Sequence, residues 1–296
     1  MLAANVYISE GRNTRVLDVL QRAAGSVRGA ACVWTFRDFP YNRTGFTIAS
    51  PCSHSLESAV VALVGAALSR LDLTAHTATH PRLGVVDHIS CHPLVHARSV
   101  ASAAEAANAI GSRIGKEFEV PVLMYGAAHA HGRRLAQIRR EAGYFKGADA
   151  GEWGGAIQSF LASQPEYGPQ KVAAKTGIIC LGAGPWVVNF NVALKTSDLQ
   201  QARNIARAVS SRGGGLPSVE AMALPHSDQL IEIACNLLDS SSTSQQTVST
   251  RIRHLAEEAG LVVHDAYSTN QNPEDLVRLA NEILINQPSQ SAVNSD

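Results

Sequence analysis

The spacing of apolar positions switches along the chain between the period of a strand and that of a helix. Residues 5–8 alternate and predict a strand, and residues 13–24 carry apolar side chains at helical spacing. The pattern continues with strands over 30–36 and 44–49, a helix over 55–71 with Ser55 as its N-cap, and a strand over 83–89. This β-α-β-β-α-β order is that of a ferredoxin-like split unit. Helices over 99–116 and 132–142, with a strand over 121–124 between them, complete the first half.

The same order of elements returns in the second half, although the sequence itself does not repeat. It comprises a strand over 186–191, a helix over 199–210, strands over 219–224 and 229–236, a helix over 247–259, a strand over 261–264 and a last helix over 273–285. We therefore predict an α+β fold of two ferredoxin-like (βαββαβ) subdomains with mixed or antiparallel sheets and a ligand cleft between them. The subdomains are expected at 1–180 and 181–286, followed by a polar, disordered tail at 287–296.

Composition narrows the classes of partner. Lys and Arg balance Asp and Glu, 25 against 25, so no net charge attracts nucleic acid. No apolar run reaches the roughly 18 residues that span a bilayer, so no membrane partner is expected, and the first residues lack the features of a secretory signal. The five cysteines include no CxxC pair, which favours reduced thiols and a cytoplasmic location.

Histidines recur at multiples of four residues, a spacing that invites a metal-site interpretation. The set is His76, His80, His88, His92 and His96. This spacing aligns ligands only on a helix, and Pro81, Gly84 and Pro93 interrupt any helix here. A strand through 85–89 would place His88 on the face opposite Asp87. We predict no metal site and expect the histidines other than His80 to be surface or loop residues.

His80 differs from the others in its neighbours. Pro81 rigidifies the backbone at a loop-to-strand entry, Arg82 supplies a fixed positive fork, and Gly84 allows close approach of another segment. A histidine in this position can titrate near neutrality and serve as an acid or a base. These features alone favour a structural role.

Segment 80–87, His-Pro-Arg-Leu-Gly-Val-Val-Asp, resembles the His-Pro-Arg-x-Gly-x-x-Asp signature of the glutamate formiminotransferases. Further matches to that family lie in the same order at 6–13, 42–44, 120–126, 138–144, 165–169, 190–191, 213–216 and 236–239. Together they cover both halves, and details such as Val-Tyr-Ile-Ser resemble the short plant members that lack the cyclodeaminase domain. The resemblance implies transfer of a formimino or formyl group between nitrogen 5 of tetrahydrofolate and glutamate, with a folate as substrate and a homodimer as the assembly.

The resemblance also implies the site residues. His80 would be catalytic, and a folate segment, residues 168–177, would contact the folate. The folate segment reads Gly168, Pro169, Gln170, Lys171, Val172, Ala173, Ala174, Lys175, Thr176 and Gly177. Its position between the halves agrees with a ligand cleft, and its lysines could meet folate carboxylates; the alternative is a solvated linker. Further positions taken from the family motifs, with Arg43 and Arg82 expected to bind carboxylates, are Asp38, Asn42, Arg43, Arg82, Tyr125 and Gly126.

One departure from the family keeps other functions open. Gly184-Pro185 stands where the family carries an arginine before the first strand of the second half. If that arginine holds the amino-acid carboxylate, this chain would favour a formyl donor or a different acceptor. The alternatives are a folate-binding protein without turnover, which would tolerate loss of His80, and an interaction module that inherits only the fold.

Overall fold

The computed structural model describes residues 1–95, 99–144, 159–162 and 164–287. Within these ranges the strands are β1 (Leu2–Ile8), β2 (Ala31–Asp38), β3 (Arg43–Ser50), β4 (Val86–Pro93), β5 (Val122–Gly126), β6 (Ile179–Ala183), β7 (Val188–Lys195), β8 (Val219–Ser227), β9 (Leu230–Leu237) and β10 (Val262–Ser268). The helices are α1 (Thr14–Ala24), α2 (Ser53–Leu68), α3 (Val100–Phe118), α4 (Leu135–Glu141), α5 (Leu199–Val209), α6 (Gln245–Glu258) and α7 (Pro273–Ile285). In this part of the chain no helix is both long and apolar enough to cross a membrane.

The first half forms a six-stranded mixed sheet in the order β2-β3-β1-β4-β6-β5. Its first four strands are antiparallel and have the ferredoxin-like order, whereas β5 and β6 run parallel to β4. The sequence pattern missed β6. Its five residues are all buried and apolar or glycine, and such a short run carries no alternation that identifies a strand.

The second half forms a four-stranded antiparallel sheet in the order β10-β7-β9-β8. This is again the order of a ferredoxin-like unit, with α5 and α6 covering one face. The predicted fold class is confirmed: a mixed sheet and an antiparallel sheet, each built on a β-α-β-β-α-β unit. The helix predicted from Ser55 begins two residues earlier, at Ser53, and its N-cap is Cys52.

One face of the first sheet is covered by α1, α2 and α3. Leu20 of α1, Leu56 of α2 and Ile110 of α3 pack with Val6 and Phe46 of the strands in a single buried cluster. The opposite face of the sheet is covered by α4 at its β5–β6 end, and the rest of it meets the second half of the chain and the loops. That face carries the polar side chains described below.

The last helix crosses back to the first half. Leu276 and Ala280 of α7 pack against Ala3 and Val33 of the first sheet, and the Gln287 side chain bonds the backbone of residues 29–30. The division predicted at residue 180 also falls inside β6, which belongs wholly to the first sheet. Beyond Gln287 the predicted tail lies outside the described residues, as does most of the Gly- and Pro-rich stretch at 146–169.

Candidate functional site

His80 lies where a loop enters β4, and the folate segment closes against that entry. The backbone N–H of Val85 donates to the carbonyl of Thr176 at 2.9 Å. Next to this bond, Gly84 and Gly177 form an antiparallel bridge. The C-terminal end of the folate segment is thereby joined to the loop that carries the histidine.

Only glycine fits at this junction, because a Cβ on Gly84 would lie 2.3 Å from the carbonyl oxygen of Ile178. Gly84→Ala is expected to lower the free energy of unfolding by about 1–3 kcal/mol, since the two segments must move apart. Gly184→Ala is the control, because a Cβ there would meet nothing within 4 Å, and should change stability by less than about 0.5 kcal/mol. Urea unfolding measures both variants. Equal effects would contradict the close packing assigned to Gly84.

The imidazole of His80 is half-buried between two aromatic rings, Tyr41 at 5.2 Å and Tyr144 at 6.4 Å between centroids. Its Nδ1 lies 2.7 Å from the carbonyl oxygen of Pro81. A carbonyl can only accept, so Nδ1 carries the proton and Nε2 presents a lone pair. Burial, together with the charges of Arg43 and Arg82, holds the pKa of His80 well below its usual range. The ring is therefore neutral at pH 7, with Nε2 available as a base.

Arg82 supports the loop of residues 76–85 from inside the protein; we name this loop, which carries His80, the histidine loop. The Arg82 side chain is fully buried, and protein atoms accept from all five of its N–H groups. The acceptors are the carbonyl of His80 twice, the carbonyls of Tyr41 and Asn42, and Nε2 of His76. The prediction that Arg82 binds a substrate carboxylate is therefore wrong, because no N–H group remains for one.

Asn42 supports the same loop from the β2–β3 turn. Its backbone has a φ of 47°, its Oδ1 accepts from the N–H of Gly11 at 2.8 Å, and its Nδ2 donates to the carbonyl of Thr77 at 3.3 Å. Burial and the neighbouring Arg82 lower the pKa of His76 to about 3, so His76 is a neutral partner of the same network. The site role predicted for Asn42 is thus one of support in this structure.

Asp87 binds two arginines, Arg43 and Arg139, behind His80. Its Oδ1 accepts from the N–H of Leu83 at 2.7 Å, and its Oδ2 accepts from Arg43 at 2.7 Å and Arg139 at 3.5 Å. Burial raises the pKa of Asp87, but the two guanidinium groups outweigh it and hold the pKa below its usual range. Arg43, expected to bind a substrate carboxylate, is already paired with this one.

A β-bulge brings Asp87 and His88 to the same side of the sheet. The register between β1 and β4 shifts after Tyr7, which pairs with His88, while Ile8 pairs with Val86. Asp87 is the extra residue, and a bulge redirects the side chains beside it. The predicted placement of His88 and Asp87 on opposite faces is therefore wrong.

Tyr125 and His88 extend this polar face. Nε2 of His88 lies 2.8 Å from the Tyr125 hydroxyl, and its ring stacks on Tyr7 with 5.6 Å between centroids. Gly126, at the end of β5, has a φ of 61° and bonds the carbonyl of Arg133. The expectation that His88 is a surface or loop residue is wrong, because it lies in β4 within the polar face.

The expectation of a surface or loop position is also wrong for His92. His96 lies outside the described residues. His92 is buried in β4, where its Nδ1 lies 3.0 Å from the carbonyl of Gly184 and 2.8 Å from that of Pro185. It therefore holds the segment that joins the two halves.

A second polar cluster joins the halves beside His80. We name it the interface cluster; it consists of Asp38, Tyr41, His226 and Glu232. The Tyr41 hydroxyl donates to Glu232 at 3.0 Å, and Nε2 of His226 lies 3.3 Å from the Asp38 carboxylate. The Tyr41 ring contacts both His80 and His226, at 5.2 and 4.8 Å between centroids. Tyr41 thus connects the histidine of the first half with that of the second.

Three members of the interface cluster could also hold a cation. Ligand atoms of Asp38, His226 and Glu232 lie within 4.8 Å of one another. The same carboxylates already accept protein hydrogen bonds, from the Tyr41 N–H to Asp38 and from Tyr41, Asn191 and Tyr267 to Glu232. These bonds account for the cluster without a metal, and the absence of a metal stays a prediction.

The interface cluster is expected to make stability pH-dependent. Burial lowers the pKa of His226, but Asp38 and Glu232 outweigh it and raise the pKa above its usual value. A raised folded-state pKa stabilises the protein below the unfolded value of about 6.5, and this contribution is lost as pH rises. The free energy of unfolding of wild type relative to His226→Gln should therefore fall from about pH 6 to 8, as urea unfolding would measure. The control is His264→Gln, whose side chain is exposed; a trend of equal size there would contradict the assignment.

The folate segment presents a mixed face. Val172 is buried with Leu83 and Tyr144, and Gln170 bonds the backbone of Leu161 at 2.9 Å. The exposed members are Lys171, Ala173, Ala174 and Lys175. Glycine is required at Gly168, where a Cβ would lie 2.3 Å from the carbonyl of Val120. The remaining members, Pro169, Thr176 and Gly177, continue the backbone between these anchors.

Residues 1–184 match the family described as the formiminotransferase domain, N-terminal subdomain. The chain belongs to the formiminotransferase family. It is 42% identical to the formiminotransferase cyclodeaminase-like protein of Arabidopsis thaliana, over 95% of this chain and 96% of that protein. It is 28% identical to the glutamate formimidoyltransferase of Streptococcus pyogenes serotype M1, over 86% and 83%. The formimidoyltransferase-cyclodeaminase of Sus scrofa is 29% identical, with 86% of this chain matching 47% of that protein. The resemblance predicted from the motifs, including that to short plant members, is confirmed.

Sequence reasoning missed several residues that the structure places around His80 in this formiminotransferase-family fold. Tyr144 and Arg139 belong to a family motif but gave no sign of their position. Glu232 did leave a signal, because it interrupts the apolar run Ile231-Glu232-Ile233. Its carboxylate is bonded by Tyr41 of the first half and by Asn191 and Tyr267 of the second, contacts that the sequence pattern does not show.

Proposed function

We propose that the chain is a one-carbon transferase that moves a formimino or formyl group between nitrogen 5 of tetrahydrofolate and the amino group of glutamate. The observation that carries the proposal is the state of His80, a neutral imidazole whose Nδ1 is bound to Pro81 and whose Nε2 is a base. The reaction class is supported by relatives named for glutamate formimidoyltransferase. A cytoplasmic location, expected from the cysteines, and a homodimer, implied by the family resemblance, belong to the same proposal.

The chemistry needs one group that takes a proton and returns it. Nitrogen 5 attacks the amidine or amide carbon of the donor, a C–N bond forms, and Nε2 of His80 takes the proton from the attacking nitrogen. The tetrahedral intermediate then collapses with cleavage of the C–N bond to glutamate, whose departing nitrogen receives that proton. General acid–base catalysis of this kind contributes roughly 100- to 10,000-fold.

Two buried donors near His80 support a polar ligand at this position. Among the described residues, the hydroxyl of Thr79 and Nε of Arg139 are buried without a protein partner. Arg139 lies over the Tyr144 ring at 4.4 Å, and Tyr144 in turn contacts His80. Buried polar groups are nearly always hydrogen-bonded, so these donors suit the carbonyl and ring-nitrogen acceptors of a pteridine. The folate segment would close over the same ligand.

The proposal is tested by a transfer assay on the wild-type chain. In one assay the protein is incubated with 5-formyl-tetrahydrofolate and isotope-labelled glutamate, and in the other with formiminoglutamate and tetrahydrofolate. Mass spectrometry follows the products of both reactions. Turnover of either pair is expected. Binding of reduced folates without turnover would replace the proposal with a folate-binding protein.

A thermal-shift measurement separates the third alternative. A folate at 100 times its dissociation constant should stabilise the protein by about 2.7 kcal/mol. If no reduced folate raises the melting temperature, only an inherited scaffold with another function is consistent with the result.

A further inference from the structure

The β2–β3 turn carries two aromatic side chains in opposite surroundings. Phe39 is 57% exposed, whereas Tyr41, two residues later, is buried beside His80. A buried tyrosine hydroxyl usually has a hydrogen-bond partner, so burial of this ring depends on what the hydroxyl meets. The proton transfer assigned to His80 does not itself involve Tyr41, yet the two rings are in contact.

One guanidinium group holds the backbones of Tyr41 and His80 together. Nη2 of Arg82 donates to the carbonyl of Tyr41 and to that of His80, each at 2.8 Å. The N–H of Tyr41 donates to the Asp38 carboxylate, also at 2.8 Å. All of these groups belong to the first half, so the main chain on both sides of the ring contact is placed without the second half.

The side chain of Tyr41 is placed by the second half instead. Its hydroxyl donates at 3.0 Å to Glu232, a fully buried residue of β9. Burial and the charge of Glu232 raise the pKa of Tyr41 well above its usual value, so the hydroxyl stays protonated and remains a donor. Asn191 and Tyr267 bond the same carboxylate. The acceptor of the Tyr41 hydroxyl is therefore itself held in one orientation.

The imidazole of His80 is held by fewer polar contacts than its backbone. Nδ1 bonds the carbonyl of Pro81, and the ring packs edge-on against Tyr41 and Tyr144, at 67° and 82° between ring planes. Nε2 must stay free to take a proton, so a hydrogen bond cannot fix that end of the ring. The direction of Nε2 therefore depends on the two tyrosine rings. Misplacing a reacting group by about 1 Å can lower a rate roughly 100-fold.

We propose that Tyr41 is a positioning residue for His80, locked against the imidazole by the Glu232 carboxylate of the second half. The inference rests on the proposed transfer reaction, because it assigns a role within that reaction. It requires the two halves to be joined at the interface cluster before Nε2 is aimed at the attacking nitrogen. A buried carboxylate by itself destabilises a fold, and its bond to Tyr41 gives Glu232 a function.

The test compares two substitutions that each remove one phenol hydroxyl from Glu232. Tyr41→Phe removes the hydroxyl that locks the ring beside His80. The matched control is Tyr267→Phe, because Tyr267 donates to the same carboxylate but stacks on Phe36, with 6.1 Å between centroids. Steady-state and single-turnover transfer are measured for both variants. Tyr41→Phe is measured again in the His80→Ala background.

Tyr41→Phe is expected to lower kcat about tenfold and to change the KM for folate by less than about twofold, because the base is displaced while the folate contacts remain. Tyr267→Phe should keep kcat within about twofold of wild type. In the His80→Ala background Tyr41→Phe should have no further effect, since no imidazole is left to position. The inference is overturned by an unchanged kcat in Tyr41→Phe, by equal losses from the two tyrosines, or by the same loss with and without His80.

NMR of histidine-labelled protein examines the same contact without turnover. The signals of His80 are identified by their loss in His80→Ala. They should shift in Tyr41→Phe and stay in place in Tyr267→Phe; signals that do not move in Tyr41→Phe overturn the inference. If the wild-type chain transfers no one-carbon group, the proposed function fails, and these spectra still decide whether Tyr41 positions the imidazole. Glu232→Gln, which keeps an acceptor oxygen but removes the charge, replaces Tyr41→Phe if that variant does not fold, with the same expected shift.

Discussion

Replacing His80 by alanine is expected to slow one-carbon transfer by about 100- to 10,000-fold, because the base that moves the proton is lost. Folate affinity should change little. In this structure the backbone of the histidine loop is held by Arg82, and the folate segment is joined to Gly84 and Val85, so the imidazole is not needed for either contact. Single-turnover rates and calorimetric folate affinity, measured on the same preparation, separate the two effects.

The control for this variant is His54→Ala, whose side chain is 81% exposed at the start of α2. It should leave the transfer rate unchanged. A His80→Ala variant that retains more than about a tenth of the wild-type rate would remove His80 from the chemistry, since general-base contributions are larger than this.

The pH dependence of the wild-type rate tests the protonation state of His80. Burial and two arginines hold the pKa of His80 well below its usual range, so the imidazole stays neutral through and above pH 6.5. The rate should therefore not decrease as pH is lowered from about 8 to 6.5. A loss of rate centred at pH 6.5 would show that His80 titrates as an ordinary histidine.

The order of elements was predictable because each ferredoxin-like unit exposes part of each element to solvent, which leaves alternation in the sequence. The sequence did not predict two features, the strand β6 and the packing of α7, and the reasons are opposite. β6 is buried on all sides and shows no periodicity, whereas α7 has a clear helical pattern that does not say which sheet it covers. Its packing on Ala3 and Val33 depends on tertiary contacts far apart in the chain.

The structure assigns different roles to the residues of the His-Pro-Arg-x-Gly-x-x-Asp signature. Only His80 has a chemical role in the proposed reaction. Arg82 holds carbonyls of the histidine loop, Gly84 admits Ile178, and Asp87 binds the N–H of Leu83 together with two arginines. Family resemblance located these positions, but it could not separate a carboxylate-binding arginine from a buried structural one. That distinction depends on the five hydrogen bonds of Arg82, whose acceptors come from three segments of the chain.

The second large effect is expected at Asp87, where Asp87→Ala should lower the free energy of unfolding by about 3–5 kcal/mol. The carboxylate is fully buried, so its removal leaves Arg43 and Arg139 without their shared counter-charge and the N–H of Leu83 without an acceptor. Asp87→Asn keeps a neutral acceptor for that N–H and should lose less. Urea unfolding compares these variants with Glu282→Ala, which breaks an exposed pair with Arg278.

Acid should erase the difference between wild type and Asp87→Ala. A carboxyl whose pKa is lowered on folding stabilises the protein above its unfolded pKa of about 3.9, and that contribution is lost as pH falls below this value. The gap in unfolding free energy should therefore be constant from pH 7 to about 5 and narrow below about pH 4. A loss at pH 7 no larger than that of Glu282→Ala, which should be under about 0.5 kcal/mol, would mean that Asp87 does not hold the two arginines behind His80.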